Sequence, residues 1–530
     1  MIAKRLWKNI LSLCLLCQFA VFPFNSVLAD TKPVNISELN HSDLIISIYK
    51  QYPDKNFWLE AALRDEFEKQ ISLLYMADIN EDLSNSYRAL TKASELKDWS
   101  NYELLASDLL LSYLSYNEQL ADNGRSWLLG DYISEKLKAP SKEYVDAFFN
   151  LDSDQARLLY LQTLSPISEQ QVPLYLNLVQ FNEVAKQNSA LQQNNEKVIF
   201  TETVKIGDTF QEKNILLNRL QIANEITAQQ KEQLELEDNQ LYSEQLVKII
   251  KSFQIRHGLK DDGIIGSKTR YWLNISGQER IRLMALNILR QPLWGVDKNT
   301  KVVVNIPGYN MRYLEADQML FESKIIAGQA KRKTPILTAK LDSIVFNPTW
   351  NVPTSIMRKD ILPKTLLNTN YLKEHRYEIL ESWQSNRVID VSEIDWRRVT
   401  PNNFPHRLRQ KSGPDNALGL YKFNTPNKDS IFLHDTPAKH LFANDNRAYS
   451  SGCIRVQKAE QFVLFLMDRS GYKVQDFETY HNSNSNRWLS LKENIHVYTI
   501  YQTAWVDQSG LTQFRNDIYD YDKPRKRNFL

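Results

Sequence analysis

The sequence predicts a multidomain α+β protein, with an all-α first part, a small helical module and a mainly-β last part that carries an insertion. Leucine and tyrosine recur at four-residue spacing in the first part, where glycine is almost absent. In the second part, turns that contain glycine separate segments with a helical pattern. In the third part, runs of β-branched residues are separated by proline and glycine. The expected boundaries are 1–29 for an export leader, 30–200 for the all-α scaffold, 204–275 for the module, 300–505 for the β domain and 506–530 for a tail.

Residues 1–29 have the pattern of an export signal. Lys4, Arg5 and Lys8 precede a short apolar run at 10–22, and a Val-Leu-Ala cleavage pattern ends at Ala29. We expect cleavage after Ala29 and a periplasmic protein. The alternative is an uncleaved leader that anchors the chain in the inner membrane, but the apolar run is shorter than the roughly 20 residues of a spanning helix.

The charge balance gives no reason to expect a nucleic-acid partner. Removing the three positive charges of the leader changes the formal net charge from +2 to −1. The basic run 523–527 is interpreted as a solvated terminus, and contact with an anionic surface is the alternative.

The all-α scaffold carries no recognisable chemistry. Leu105, Leu109 and Tyr113 lie at four-residue spacing, which is typical of the buried stripe of a helix, so we interpret these stripes as hydrophobic core. The segment 187–196 is polar and rich in Asn and Gln, as a linker would be.

The second part contains a series of short motifs. Phe253-Gln254 is followed by His257-Gly258-Leu259, then Asp262-Gly263-Ile264-Ile265-Gly266 and Thr269, which fits helices separated by a glycine-bearing turn with Thr269 in the first turn of the last helix. The series resembles the three-helix peptidoglycan-binding module. An insertion at 225–244 stretches the pattern and leaves glycan binding open. We assign His257 to packing of the turn, because no second ligand lies at metal-site spacing.

The third part predicts a β domain that ends in a reactive motif. Runs at 301–306, 323–327 and 343–347 are β-rich, whereas the polar, more helical text at 359–410 is interpreted as an inserted cap. The strand 430–433 delivers His434 at its end. His440, the nearest other histidine, lies in a polar turn and is expected at the surface.

Cys453 is the only cysteine beyond the leader, which contains Cys14 and Cys17. An unpaired thiol in an oxidising compartment is a liability unless it reacts. His434 lies nineteen residues upstream and can take the thiol proton. Gly452 allows a tight turn, and backbone amides near Gly452 and Cys453 can stabilise an oxyanion.

The alternative to catalysis is that Cys453 is a small buried residue and that His434 has only a structural role. The presence of both residues, with Ser-Gly before the thiol, favours catalysis. Either the Asp435 side chain or a backbone carbonyl fixes the tautomer of His434, and the sequence does not choose between them.

The last third resembles the L,D-transpeptidase family. A histidine followed after some fifteen to twenty residues by Ser-x-Gly-Cys-x-Arg/Asn is the family signature, here at His434 and 450–455. Further matching stretches are 304–307, 334–335, 347–353, 358–363, 413–419 and 434–437. The resemblance implies that Cys453 attacks a peptidoglycan tetrapeptide stem, releases D-Ala, holds a thioester and passes it to the amine of a second stem, giving a 3-3 crosslink. It also implies acylation of Cys453 by carbapenems, a substrate cap at 359–410 that excludes water, and no cofactor or metal. Other wall synthases are left open as partners.

Two positions depart from the common family pattern. Ser451 stands where shorter members have His, and Arg455 replaces an Asn. We expect Arg455, together with Arg447, to hold a substrate carboxylate, with a packing or surface role as the alternative. The other candidates for contact with substrate are Ser451, Phe432, Trp350 and Tyr449.

Three rival functions follow from the same residues. A peptidoglycan L,D-carboxypeptidase would pass the thioester to water. A cysteine peptidase or amidase of the wall-hydrolase kind is disfavoured because such enzymes place Cys before His in the chain. A non-catalytic peptidoglycan-binding scaffold is disfavoured by the presence of both His434 and Cys453.

Overall fold

The computed structural model describes residues 33–131, 133, 136–187, 197–198, 202–236, 240–295, 299–483 and 485–524. The leader with Cys14 and Cys17, nearly all of the predicted linker 187–196, and residues 525–527 of the basic run lie outside the described residues. Within the described ranges, no helix is both long enough and apolar enough to cross a membrane.

The first part is helical, as predicted. Leu109 and Tyr113 are buried, which confirms that the leucine and tyrosine stripe is core. The helices are α1 Ser42–Gln51, α2 Ala61–Met76, α3 Glu81–Glu95, α4 Trp99–Ser126, α5 Lys142–Phe149, α6 Asp154–Leu164 and α7 Val172–Gln187.

The second part contains α8 Lys213–Ile222, α9 Ala228–Leu236, α10 Glu244–Arg256 and α11 Ser267–Leu273. The insertion at 225–244 forms α9, so the described module has a helix beyond the three expected. Thr269 lies in the first turn of α11, as predicted, and its hydroxyl accepts a hydrogen bond from Gln254 Nε2 at 3.2 Å.

His257 has the packing role predicted for it. Its ring is buried, Nδ1 donates to the Phe253 carbonyl at 2.6 Å, and Nε2 accepts from Arg280 Nη1 at 2.7 Å. Its ring also stacks on Phe514 with centroids 5.6 Å apart. The module is therefore fastened through this histidine to the carboxy-terminal part of the chain.

Helix α12 Gly277–Arg290 was not predicted and joins the first two parts. Every residue from Arg280 to Arg290 is buried. The helix belongs to one hydrophobic core that runs through both the scaffold and the module, so the two predicted units are not separate cores. Ser276 caps the helix by accepting from the Glu279 amide at 3.1 Å, and this Ser-x-x-Glu spacing is the sequence signal for its start.

The third part is mainly β, as predicted, and its long sheet closes on itself. The described strands form a nine-stranded sheet in the order β11-β3-β12-β10-β9-β4-β13-β1-β2. A further β2–β3 pairing closes the strands from β3 to β2 into a ring, and β11 is attached to β3 at its edge. The strands are β1 Thr300–Asn305, β2 Asn310–Glu315, β3 Gln318–Gly328, β4 Thr338–Phe346, β5 Trp350–Asn351, β6 Tyr377–Leu380, β7 Val388–Ile389, β8 Arg407–Gln410, β9 Tyr421–Asn424, β10 Leu433–His434, β11 Ala448–Ser450, β12 Ile454–Val456, β13 Arg487–Ile500, β14 Ala504–Val506 and β15 Thr512–Phe514.

Helices of this part are α13 Thr354–Ile356, α14 Leu362–Leu367, α15 Tyr371–Glu374, α16 Ala459–Arg469 and α17 Val474–His481, with a π turn at Met357–Ile361. Further short turns are Ile36–Glu38, Trp127–Asp131, Glu169–Gln171, Gln291–Trp294, Val391–Glu393 and Lys439–Ala443.

The predicted insertion forms a small subdomain with its own core and its own sheet. The sheet order is β5-β8-β6-β7, and the core begins at Val352. The subdomain therefore starts at Trp350 rather than at residue 359, and it contains strands as well as the expected helices. A two-residue strand such as β5 is too short to show the alternation that predicts strands.

The predicted tail at 506–530 is wrong for residues 506–522. Strands β14 and β15 form a hairpin, and Tyr519 is buried with its hydroxyl donating to the Gly328 carbonyl at 2.7 Å. Lys523, at the start of the basic run, is exposed. Residues 506–522 are thus part of the folded body.

Candidate active site

The register of two parallel strands brings the reactive residues together. His434 of β10 pairs with Arg455 of β12, and the Ile454 amide donates to the Phe432 carbonyl at 3.0 Å. Cys453 is therefore opposite Phe432, one residue before the Leu433–Ile454 pair. Because side chains alternate along a strand, Phe432, His434, Cys453 and Arg455 lie on one face of the sheet.

These four side chains line a cavity of about 500 Å³. The opposite wall comes from the cap subdomain, through Trp350, Ile356 and Trp383. His434 is the last residue of its strand, as predicted. The predicted nucleophile and base thus meet in a pocket between the sheet and the cap.

The turn before Cys453 depends on Gly452. Its φ is +120°, which L side chains rarely adopt, and a Cβ there would lie 3.1 Å from Ile431 Cδ1. Thr334 Oγ1 donates to the Gly452 carbonyl at 2.8 Å and holds the turn from the opposite side.

The prediction that Gly452 supplies an oxyanion donor needs correction. Its amide donates to Ser450 Oγ at 3.1 Å, so this hydrogen is already used. Across the described residues, no group accepts the amide hydrogen of Cys453. Of these two amides, that of Cys453 is therefore the one without an acceptor in the described part of the chain.

A backbone carbonyl orients His434. Nδ1 lies 2.6 Å from the Asp435 carbonyl oxygen, which can only accept, so Nδ1 carries the proton and Nε2 of the neutral ring has a free lone pair. The Asp435 carboxylate instead accepts from the Leu420 amide at 3.0 Å and from Lys439 Nζ. The backbone carbonyl of Asp435, and not its side chain, therefore fixes the tautomer of His434.

His434 is held neutral. Burial lowers its pKa to about 3, the positive charge of Arg455 acts in the same direction, and so does Lys422, while the hydrogen bond to Asp435 opposes them. The ring is thus a proton acceptor that does not remain charged in the resting protein.

The thiol of Cys453 is also held neutral. Burial raises its pKa, and the Phe432 amide, Lys422 and Arg455 oppose this rise without cancelling it. The sulfur donates to the Ser430 carbonyl at 3.8 Å, and no Cys453–His434 hydrogen bond forms in the described part of the chain. The resting pair is a thiol beside a neutral imidazole.

The residues predicted to contact substrate divide into two groups. Phe432, Trp350, Ser451 and Arg455 line the cavity. Tyr449 does not, because it alternates with the buried Ser450 along β11 and points outwards, where it is 40% exposed. Contact between Tyr449 and substrate therefore stays a prediction, and it would have to occur outside this cavity.

The two arginines expected to act together are also separated. Arg447 donates to the carbonyls of Tyr309, Ile325 and Asn444 and lines a different cavity. Arg455 lines the reactive cavity, and its Nε is buried with no hydrogen-bond partner within the described ranges. Arg455 is therefore a cavity-lining cation with no ion-pair partner among the described residues.

Two charged residues near the site were missed by the sequence reasoning. Lys422 of β9 pairs in register with His434, and its Nζ lies 4.3 Å from the centre of the Phe432 ring. Arg332 donates to Ser451 Oγ at 2.8 Å and forms a two-pronged ion pair with Asp360 of the cap. Neither residue stands in a motif, and only the fold brings them to the site.

His440 is exposed, as expected. In the part of the chain that the structure describes, no three His, Cys, Asp or Glu side chains are arranged to hold a metal ion.

The sequence of this domain matches a known family. Residues 299–475 match the family model described as "YkuD: L,D-transpeptidase catalytic domain". Residues 299–475 are an L,D-transpeptidase catalytic domain. Cys453, His434, Gly452 and Arg455 all lie within the matched range, as does the cap.

A curated relative supports the same assignment of the L,D-transpeptidase domain. A Haemophilus influenzae protein named "Putative L,D-transpeptidase" is 40% identical over 227 residues, which are 43% of this chain and 45% of that protein. The match therefore spans less than half the length of that relative.

Two solved structures overlap only loosely with the chain. An L,D-transpeptidase (Yku) from Stackebrandtia nassauensis gives a TM-score of 0.21 at 13% identity, covering 57% of this chain and 95% of that one. A fused Zn-dependent amidase/peptidase/peptidoglycan-binding domain-containing protein from Clostridium acetobutylicum gives 0.14 at 10% identity, covering 57% and 100%.

The protonation state of the site predicts its reactivity towards a neutral alkylating reagent. Only the thiolate reacts, and burial raises the pKa of Cys453, so the alkylation rate should rise with pH to a midpoint above the roughly 8.5 of free cysteine. Iodoacetamide labelling followed by peptide mapping at Cys453 measures this, with Cys453→Ala as the blank. A midpoint below pH 7 would instead indicate a resting thiolate–imidazolium pair.

Proposed function

We propose that this protein is a periplasmic L,D-transpeptidase that forms 3-3 crosslinks in peptidoglycan. The observation that carries the proposal is the position of Cys453 and His434 on one face of the sheet, at the floor of a cavity in an L,D-transpeptidase domain. The export leader predicted at 1–29 supports the periplasmic location.

The first step is acylation of Cys453. The sulfur attacks the carbonyl that joins the L-centre of meso-diaminopimelate to the terminal D-Ala of a tetrapeptide stem. Nε2 of His434 takes the thiol proton and gives it to the departing amine, so D-Ala leaves as a neutral amine and a thioester remains. The Cys453 amide donates to the oxyanion that forms in between, a contact that is typically worth about 100-fold or more in rate.

The second step transfers the acyl group. The side-chain amine of diaminopimelate in a neighbouring stem attacks the thioester, His434 accepts the amine proton, and the thiol is restored. An amide bond forms and the carbon–sulfur bond breaks, so no cofactor is needed for the balance. Passing the same thioester to water would give a tripeptide, which is the carboxypeptidase alternative.

Arg455 is the proposed anchor for a substrate carboxylate. Its guanidinium lines the cavity, makes no ion pair within the described residues and has a buried Nε without a partner. A carboxylate bound there in a bidentate manner would place the stem beside the sulfur.

The cap is proposed to exclude water and so to favour transfer over hydrolysis. Trp350 and Trp383 present aromatic surface to the cavity. The ion pair between Arg332 and Asp360 ties the cap to the turn that precedes Cys453, since Arg332 also donates to Ser451.

Reaction products test the proposed function directly. With a disaccharide tetrapeptide, we expect released D-Ala and a crosslinked dimer, and neither with Cys453→Ala or His434→Gln. Mass spectrometry of the products separates the alternatives. Tripeptide monomer alone would identify a carboxypeptidase, and unchanged substrate would identify a non-catalytic scaffold.

Replacing Arg455 with Lys tests the carboxylate anchor. Lysine keeps the charge but loses the bidentate geometry, so kcat/KM for D-Ala release should fall about 10- to 100-fold, the effect of losing a hydrogen bond to a charged group. Arg397→Lys, at a fully solvated site in the cap, is the matched control. An unchanged kcat/KM in Arg455→Lys would contradict the anchor.

Replacing Asp360 with Asn tests the link between the cap and the turn. The shape is kept and the ion pair with Arg332 is lost, so the ratio of hydrolysed tripeptide to crosslinked dimer should rise by up to about fivefold, the range for a partly exposed ion pair. Glu378→Gln, which breaks an Arg409 ion pair inside the cap, should leave the ratio unchanged. An equal rise in both variants would refute the specific role of Asp360.

A further inference from the structure

Three neighbouring strands place a cation, an imidazole and a second cation in a row beside the sulfur of Cys453. Lys422 of β9 and Arg455 of β12 each pair in register with His434 of β10, so His434 lies between two cations on one face of the sheet. Cys453 lies on the same face, one pair further along. A basic residue on each side makes a positive charge on His434 costly.

In a reactive thiol–histidine pair, the imidazolium is the usual partner of the thiolate. Here the charged form of His434 is disfavoured, because burial and the two cations lower the pKa of this histidine to about 3. A thiolate at Cys453 therefore needs positive charge from another source, and Lys422 and Arg455 are the two cations whose fields favour its ionised form.

The two cations differ in what a substrate can reach. Arg455 lines the cavity, whereas Lys422 does not line it, and its Nζ stacks 4.3 Å from the centre of the Phe432 ring, which does. A substrate carboxylate in the cavity would neutralise Arg455 and leave Lys422 unpaired. Lys422 is also half-buried and forms no ion pair among the described residues.

We propose that Lys422 is a positioning residue for charge: it acts through space on Cys453, from behind Phe432, and stabilises the thiolate during attack while substrate occupies Arg455. This rests on the proposed role of Cys453 as nucleophile. The proton still moves from the sulfur to Nε2 of His434 and on to the leaving amine, and Lys422 neither gives nor takes a proton.

Two carboxylates also lie near these three residues, and neither can supply the positive charge that Lys422 provides. Asp342 of β4 interacts electrostatically with Lys422, but its carboxylate accepts hydrogen bonds from Ser343 and Asn424. Asp429, in the loop before Phe432, lines the cavity and would oppose a thiolate. The surfaces that the cap presents to the cavity, Trp350 and Trp383, carry no charge.

The experiment is the pH profile of Cys453 alkylation by iodoacetamide, a neutral reagent that does not need the peptidoglycan reaction. Lys422→Met should move the midpoint up by about one pH unit, so the rate below the midpoint falls roughly tenfold, while the rate at the high-pH plateau stays the same. Lys422→Arg should restore the original midpoint. Lys428→Met, an exposed lysine in the loop between the same two strands, is the matched control and should leave the profile unchanged.

An unchanged or lowered midpoint in Lys422→Met would overturn the proposal. A lower plateau with an unmoved midpoint would do so too, because it would mean that Lys422 only shapes access to the sulfur. If Lys422→Met does not fold, Lys422→Gln takes its place with the same criteria. D-Ala release by the unmodified protein is measured in parallel, so a failure of the proposed function is seen separately.

Discussion

The register of β10 against β12 is the constraint on which the whole site depends. It places His434 beside Arg455 and Cys453 beside Phe432, all on the face that the cap covers. Side chains alternate with a period of two, so a slip of β12 by one residue would turn the Cys453 side chain to the opposite face from His434. Both β10 and β12 have a paired strand on each side, which holds this register.

The electrostatics of the site follow from this register. Two cations flank one buried imidazole, and Cys453 is partly buried, so both members of the pair rest in their neutral forms. A neutral thiol reacts slowly with oxidants and other electrophiles. In the proposed acylation, His434 takes the thiol proton and passes it to the leaving amine, so the site does not need a stable imidazolium. The positive charge of Arg455 and Lys422 also favours an anion in the cavity, which agrees with the proposed carboxylate anchor at Arg455.

Local patterns in the sequence were enough to find the main candidate residues of the site, and pairing between distant strands was needed to find the others. The turn that contains Cys453, the strand-end position of His434 and the helical scaffold stand in contiguous motifs. Lys422 reaches the site only because β9 pairs with β10, and Arg332 only because the loop after β3 meets the cap. The outward direction of Tyr449 could not be predicted, because its three-residue strand is too short to show alternation in the sequence. Helix α12 had a readable cap at Ser276, and what could not be read was that it unites two parts in one core.

The scaffold contributes to the site through a chain of buried polar contacts. Arg290 of α12 donates to the Leu128 carbonyl of the scaffold at 2.6 Å and pairs with Asp522 of the carboxy-terminal segment. In the same segment, the Tyr519 hydroxyl accepts from the Thr334 amide, and Thr334 in turn donates to the Gly452 carbonyl. Breaking a buried ion pair typically costs about 3–5 kcal/mol, so the contact between Arg290 and Asp522 holds the carboxy-terminal segment firmly against α12. The all-α region thereby helps to fix the turn at Gly452 that precedes Cys453.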